Sequence, residues 1–105
     1  MKRKKPKSRR ASAAFEVRDG GVTIHVQVGE YEDGKPCEVF IKGGKEGSFT
    51  TGFMNAFAMS VSLGLQYGIP LSQFLHTFRD FKSEPNVINL MFQEMGVMYP
   101  EGDTK

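Results

Sequence analysis

Tryptophan is absent, cysteine occurs once, and no lysine, arginine, aspartate or glutamate stands between Gly47 and Phe78. Each absence excludes something. A lone thiol, Cys37, cannot close an intramolecular disulfide, which fits a reducing compartment and a cytoplasmic setting. His25 and His76 stand far apart, and neither Cys-x-x-Cys nor His-x-x-x-His occurs, so no metal site is expected. Cys37 then reads as a small buried apolar residue. No nucleophile–base pair or carboxylate pair stands out, so neither catalysis by this chain alone nor a bound cofactor is expected. The uncharged run is about as long as a membrane span. It is too polar for one, however, with Thr50, Thr51, Asn55, Ser60, Ser62 and Gln66, and its flanks lack symmetric anchors.

What is present divides unevenly. Residues 1–10, MKRKKPKSRR, hold seven positive charges (Lys2, Arg3, Lys4, Lys5, Lys7, Arg9 and Arg10) and no negative one. The remaining seven basic residues face twelve acidic ones, so 11–105 carries a net charge of −5. Basic runs are usually solvated, and this one has no apolar core of a secretory signal. Residues 1–12 are therefore expected to form a disordered arm, 13–98 one domain and 99–105 a frayed tail. The arm has two readings: an incidental solvated tail, or a cationic arm for nucleic acid.

Alternation marks the first half of the domain. Ala14–Arg18 is a short alternating run, followed by the turn residues Asp19-Gly20-Gly21. In Val22–Val28, Val22, Ile24, Val26 and Val28 share one face and Thr23, His25 and Gln27 the other. His25 falls on the wet face and reads as an exposed sheet residue. Asp33-Gly34 signals a second hairpin, leading into a third strand at Cys37–Lys42. Short connections imply an antiparallel meander.

Helical periodicity follows, from Ser48, a fitting N-cap, to about Tyr67. Phe49, Phe53, Phe57, Val61 and Leu65 recur every four residues as an apolar stripe. A stripe of small residues runs beside it: Gly52, Ala56, Ser60 and Gly64. A helix without charge is expected to be buried on most sides. The small stripe then suits close approach of another backbone, either within the chain or from a second copy in a homo-oligomer. Gly68 suits the C′ position, with Pro70 beyond it. Leu71–Phe81 forms a shorter helix whose apolar face leaves out His76. A third helix restarts at Ser83-Glu84-Pro85, with Pro85 in its first turn. The expected class is α+β: a three-stranded antiparallel meander, a long buried helix and two shorter helices.

The ordered set Asp33-Gly34, Glu38-Val39-Phe40-Ile41, Lys45-Glu46-Gly47-Ser48, Phe57-Ala58 and Gln66-Tyr67-Gly68-Ile69-Pro70-Leu71 resembles the TSCPD-type C-terminal domain of adenosylcobalamin-dependent (class II) ribonucleotide reductases. The resemblance covers roughly residues 24–85. It implies the domain's fold and an association with nucleotide reduction. The reductase's catalytic barrel, with its radical cysteines and its cobalamin and nucleotide sites, does not fit in 105 residues. Two further departures are Lys82-Ser83-Glu84-Pro85, where the family tends to Arg-Phe-Glu-Pro, and the missing redox cysteine pair. The resemblance therefore implies a non-catalytic binding or accessory domain, with a ribonucleotide reductase or another protein as partner. The alternative is a small nucleic-acid-binding protein acting through residues 2–10.

The loop Gly43, Gly44, Lys45, Gly47 and Ser48 between strand and helix raises an anion- or nucleotide-binding reading. As a Walker motif it fails, because the lysine precedes the last glycine. An anion at a helix N-terminus remains physically sound, although Glu46 would repel it. The competing reading is a tight corner with glycines for turning and Ser48 for capping.

Overall fold

The computed structural model describes residues 2–43, 49–82 and 85–101. Three strands come first: β1 (Ser12–Asp19), β2 (Val22–Glu30) and β3 (Pro36–Gly43). They pair in chain order as an antiparallel sheet. Asp19 faces Val22 across the first hairpin. Its two central residues, Gly20 and Gly21, have φ of 58° and 79°. Both would strain an L-residue with a side chain, so the Gly-Gly pair follows from the tight turn. In the second hairpin the Tyr31 N–H donates to the Lys35 carbonyl at 2.9 Å, and the Gly34 N–H to the Tyr31 carbonyl at 2.9 Å.

Register follows from alternation. Ala13 lies opposite Val28, Phe15 opposite Val26 and Val17 opposite Ile24, while Val39 and Ile41 meet Val28 and Val26 from the other side. All these side chains point to one face, and a one-residue slip would turn them all to water. His25 projects from the opposite face, exposed as expected, with Nδ1 3.3 Å from a Glu16 carboxylate oxygen.

The helices α1 (Phe49–Gln66), α2 (Leu71–Phe78) and α3 (Val87–Met98) follow. Helix α1 packs against β3, and α3 against β1, β2 and α2. The core joins Val17, Ile24, Val26, Val28, Val39 and Ile41 of the sheet to Ala58, Val61 and Leu65 of α1, Leu71 of α2, and Val87, Met91, Phe92 and Met95 of α3. Phe92 is its aromatic centre. It stacks with Phe74 and Phe78 at centroid distances of 5.7 and 5.2 Å and meets Phe57 edge-on at 6.2 Å.

Helix α1 ends as its sequence implies. Gly68 takes φ 98°, the Ile69 N–H donates to Gly64 at 2.9 Å, and the Gly68 N–H donates to Leu65 at 3.1 Å. This pair of bonds is a Schellman motif. Among the described residues, no helix is long and apolar enough to cross a membrane.

Several expectations change in detail. Helix α2 stops at Phe78, short of Phe81. Helix α3 starts at Val87, so Pro85 lies before it, and Asn86 is its N-cap residue. The Asn86 N–H donates to the Asp19 carboxylate at 2.7 Å, so the first hairpin turn supplies an acceptor at the start of the helix. Ser83 and Glu84 lie outside the described residues. Phe53, assigned to the apolar stripe of α1, is 61% exposed, and the buried stripe runs instead through Ala58, Val61 and Leu65. Spacing of four drifts around a helix of 3.6 residues per turn, so Phe53 and Leu65 cannot share one face.

Candidate functional site

The free edge of β3 explains the polar residues of α1. Val39 directs its N–H and carbonyl off that edge. Ser62 Oγ accepts from the N–H at 2.8 Å, and its single proton lies between the Val39 carbonyl at 3.2 Å and the Ala58 carbonyl at 2.9 Å. The Gln66 amide donates to the Cys37 carbonyl at 2.9 Å, and the Thr51 hydroxyl to the Gly43 carbonyl at 3.3 Å. Strand positions 37, 39 and 43 thus meet helix positions 66, 62 and 51. An unpaired strand edge invites aggregation, and here a helix without charge closes it.

Gln66 also anchors the N-terminal segment. Its Oε1 accepts from Arg3 Nε at 2.6 Å, and its backbone carbonyl from the Lys4 N–H at 2.8 Å. From there the chain crosses the second hairpin. The Tyr31 hydroxyl donates to the Lys4 carbonyl, and the Lys4 ammonium sits 4.4 Å from the centre of the Tyr31 ring. Lys7 pairs with Glu32 at 2.6 Å. Arg10 pairs with Glu38, which lies over Gly29 on the wet face of the sheet. A Cβ at Gly29 would stand 2.4 Å from the Glu38 carboxylate, so glycine makes the room. The Glu38 bond raises the Arg10 pKa above its ordinary value, and the Lys7 bond lowers that of Glu32.

Residues 3–10 thus run as a strap whose acceptors are widely separated in sequence. Gln66, Tyr31, Glu32 and Glu38 come from different elements, so a local reading sees only cations in water. Arg3, Lys4, Lys7 and Arg10 each find a partner on the body, the Lys7–Glu32 pair remaining exposed. Lys2, Lys5 and Arg9 have no side-chain partner among the described residues.

Strap, second hairpin, α1–α2 connection and the end of α3 enclose an open groove of about 880 Å³. The chain contains three tyrosines, and Tyr31, Tyr67 and Tyr99 all line it. Lys2, Lys4 and Lys35 stand on its rim with Asp33 and Glu101. Both carboxylates already accept backbone N–H groups, Asp33 from Lys35 at 2.9 Å and Glu101 from Ser72 at 3.2 Å. Tyr99 donates to Glu30 at 2.5 Å, and burial, followed by that bond, pushes its pKa well up. Burial also raises Tyr31. Tyr99 and Glu101, which make these bonds, belong to the segment expected to fray over 99–105, and residues 102–105 lie outside the described residues. Sequence reasoning missed this groove. Its tyrosines are more than thirty residues apart, and only their scarcity was visible.

Of the loop glycines, Gly43 is described. Its Cβ would meet Ile24 Cγ2 at 2.9 Å and the Thr23 carbonyl oxygen at 3.1 Å, so packing within the sheet accounts for it. Gly44, Lys45, Gly47 and Ser48 lie outside the described residues. The small stripe divides. Gly64 lets Phe74 of α2 approach, since a Cβ there would stand 2.9 Å from its Cζ. A Cβ at Gly52 would meet nothing within 4 Å among the described residues outside its own turn of helix, and Ala56 and Ser60 are exposed. Cys37 is buried, and burial followed by the Glu38 charge raises its pKa. Among the described residues, no three His, Cys, Asp or Glu side chains gather as a metal-binding group.

The TSCPD domain family model matches residues 1–97. A vitamin B12-dependent ribonucleotide reductase of Bradyrhizobium diazoefficiens is 34% identical over 111 residues, covering 92% of this chain and 9% of that protein. The enzyme of the same name from Streptantibioticus cattleyicolor is 37% identical over 86 residues, covering 81% of this chain and 14% of that protein. In that of Rhodopirellula baltica, 43% identity runs over 58 residues, 55% of this chain and 6% of that protein. The chain thus spans about a tenth of the length of the relatives it matches. No solved structure matches it.

Proposed function

We propose, since the chain belongs to the TSCPD domain family, that it is a non-catalytic binding domain serving nucleotide reduction as an accessory or regulator, with the chemistry carried out elsewhere. The observation that carries this reading is the match of residues 1–97 to the TSCPD domain, a small part of each reductase. The single thiol supports it, because a reduction that consumes a dithiol needs two. A cytoplasmic setting belongs to the same reading and rests on the same unpaired Cys37. The test adds purified chain to a vitamin B12-dependent ribonucleotide reductase from the same source, with binding followed by calorimetry and turnover by product formation. Saturable binding with a changed rate is expected. Absence of both would overturn the reading, as would turnover by the isolated chain supplied with adenosylcobalamin and thiol.

A second reading, binding of nucleic acid through the N-terminal segment, is supported by the three cations left free on the strap. With Lys2, Lys5 and Arg9 as the only contributors, affinity should fall with salt at a log–log slope of roughly −2 to −3. A slope near the value for seven cations would mean that the strap leaves the body when it binds. Self-association is a further proposal. It is supported by the uncharged outer face of α1, where Phe53, Met59 and Leu63 stand exposed beside Gly52, Ala56 and Ser60. Light scattering across micromolar concentrations tests it, and the mass of one chain throughout would end it.

A further inference from the structure

Gly43, the described residue of the strand-to-helix loop, does not line the groove. The walls of the groove combine two chemistries that one kind of small molecule requires together. Tyr31, Tyr67 and Tyr99 line the groove, with Tyr67 40% exposed. Aromatic faces stack on any base, whatever its hydrogen-bonding pattern. Lys2, Lys4 and Lys35 bring three ammonium groups to the same opening. The two carboxylates there are already taken up by backbone N–H groups, which blunts their repulsion of an anion. The Lys2 and Lys35 ammonium groups and the Tyr67 hydroxyl have no partner among the described residues. The volume of about 880 Å³ lies within the range of pockets that bury one small molecule.

We propose that this groove is a binding site for a nucleoside phosphate. Tyr67 and Tyr31 flank the base, and Lys2, Lys4 and Lys35 hold the phosphates. Lys4 has a double role: its ammonium already lies on the Tyr31 ring, so a phosphate would draw it from a cation–π contact into an ion pair. Because the strap supplies two of the three cations, the ligand would also tighten the strap on the body. The proposal does not depend on a reductase partner. It can fail while the accessory reading stands, and hold while that reading falls.

The test uses the whole chain labelled with carbon-13 on tyrosine. With three tyrosines in all, every ring signal reports on the groove. ADP is titrated, with adenosine and inorganic pyrophosphate as the two partial probes. ADP at millimolar concentration or below is expected to shift the Tyr31 and Tyr67 signals saturably. Each partial probe should bind at least about tenfold more weakly. Lys35→Ala and Tyr67→Ala each remove an exposed side chain, so both should fold, and each should weaken ADP binding roughly tenfold. Unmoved tyrosine signals at millimolar ADP would overturn the proposal. So would pyrophosphate binding as tightly as ADP, which would leave an anion site without a base site. Retention of affinity in both variants, or displacement of ADP by a short acidic peptide at equal concentration, would overturn it as well.

Discussion

On one side of α1, Ala58, Val61 and Leu65 are buried under the sheet and the other helices; on the opposite side, Phe53 and Met59 leave 61% and 66% of their surface open. Both sides are free of charge, and both mix aliphatic, aromatic and small residues. The difference lies in what each side faces. The inner side meets apolar sheet residues, and along its border Ser62 and Gln66 meet unpaired strand groups. The outer side is largely open to solvent, and at Gly64 it meets Phe74 and Ile69. Lack of charge on a helix therefore permits burial of either side. It does not mark which side the chain itself covers.

Substitutions on the two sides break or sharpen this contrast. The largest effect is expected from Leu65→Ala, a loss of about 2–5 kcal/mol, because a buried side chain is removed and the sheet cannot collapse into the space. Urea unfolding measures it, and a loss below about 1 kcal/mol would place Leu65 outside the core. Gly64→Ala comes next, since its methyl group collides with Phe74. Overpacking should cost on the order of 1–3 kcal/mol, while the same exchange at Gly52, where nothing lies near, should stabilise by up to about 1 kcal/mol. Opposite signs for the two exchanges in thermal melts are the clearest sign of a stripe divided between inside and outside.

Ser62→Ala leaves the Val39 N–H and carbonyl without partners, at a cost of about 1–3 kcal/mol. Val39 amide exchange should speed up in that variant, and unchanged exchange would show that water replaces the hydroxyl. Deleting residues 2–10 removes the bonds to Gln66, Tyr31, Glu32 and Glu38 and should lower the melting temperature measurably. An unchanged melting curve would return the segment to a free arm. The smallest effect on folding is expected from Ala56→Leu on the outer side, within about 0.5 kcal/mol for a single chain. A fall in mass by light scattering at unchanged stability would place a second copy on that face.

Alternation in Val22–Val28, the Gly20-Gly21 turn and Gly68 after a helical run were enough to read the three strands, both hairpins and the end of α1. Each of these rules acts over a few neighbouring residues, through side-chain direction or allowed φ, so it survives any tertiary context. The edges of α2 and α3 were less legible, because Asp19, sixty-seven residues from Asn86, provides the N-terminal acceptor of α3. The groove was not legible at all.

Order of strands, α+β class and antiparallel pairing were therefore legible in the sequence itself, since short loops and period-two burial leave one economical pairing. The buried face of α1, the course of residues 2–10 and the meeting of three tyrosines were decided only in three dimensions. A cation in the sequence has no partner until the fold brings Gln66, Tyr31 and Glu38 to one side. Likewise, an uncharged helix has no inside until a strand with an unpaired edge lies along it. Such contacts depend on distances between segments that no local pattern encodes, because they come into being only when the core closes.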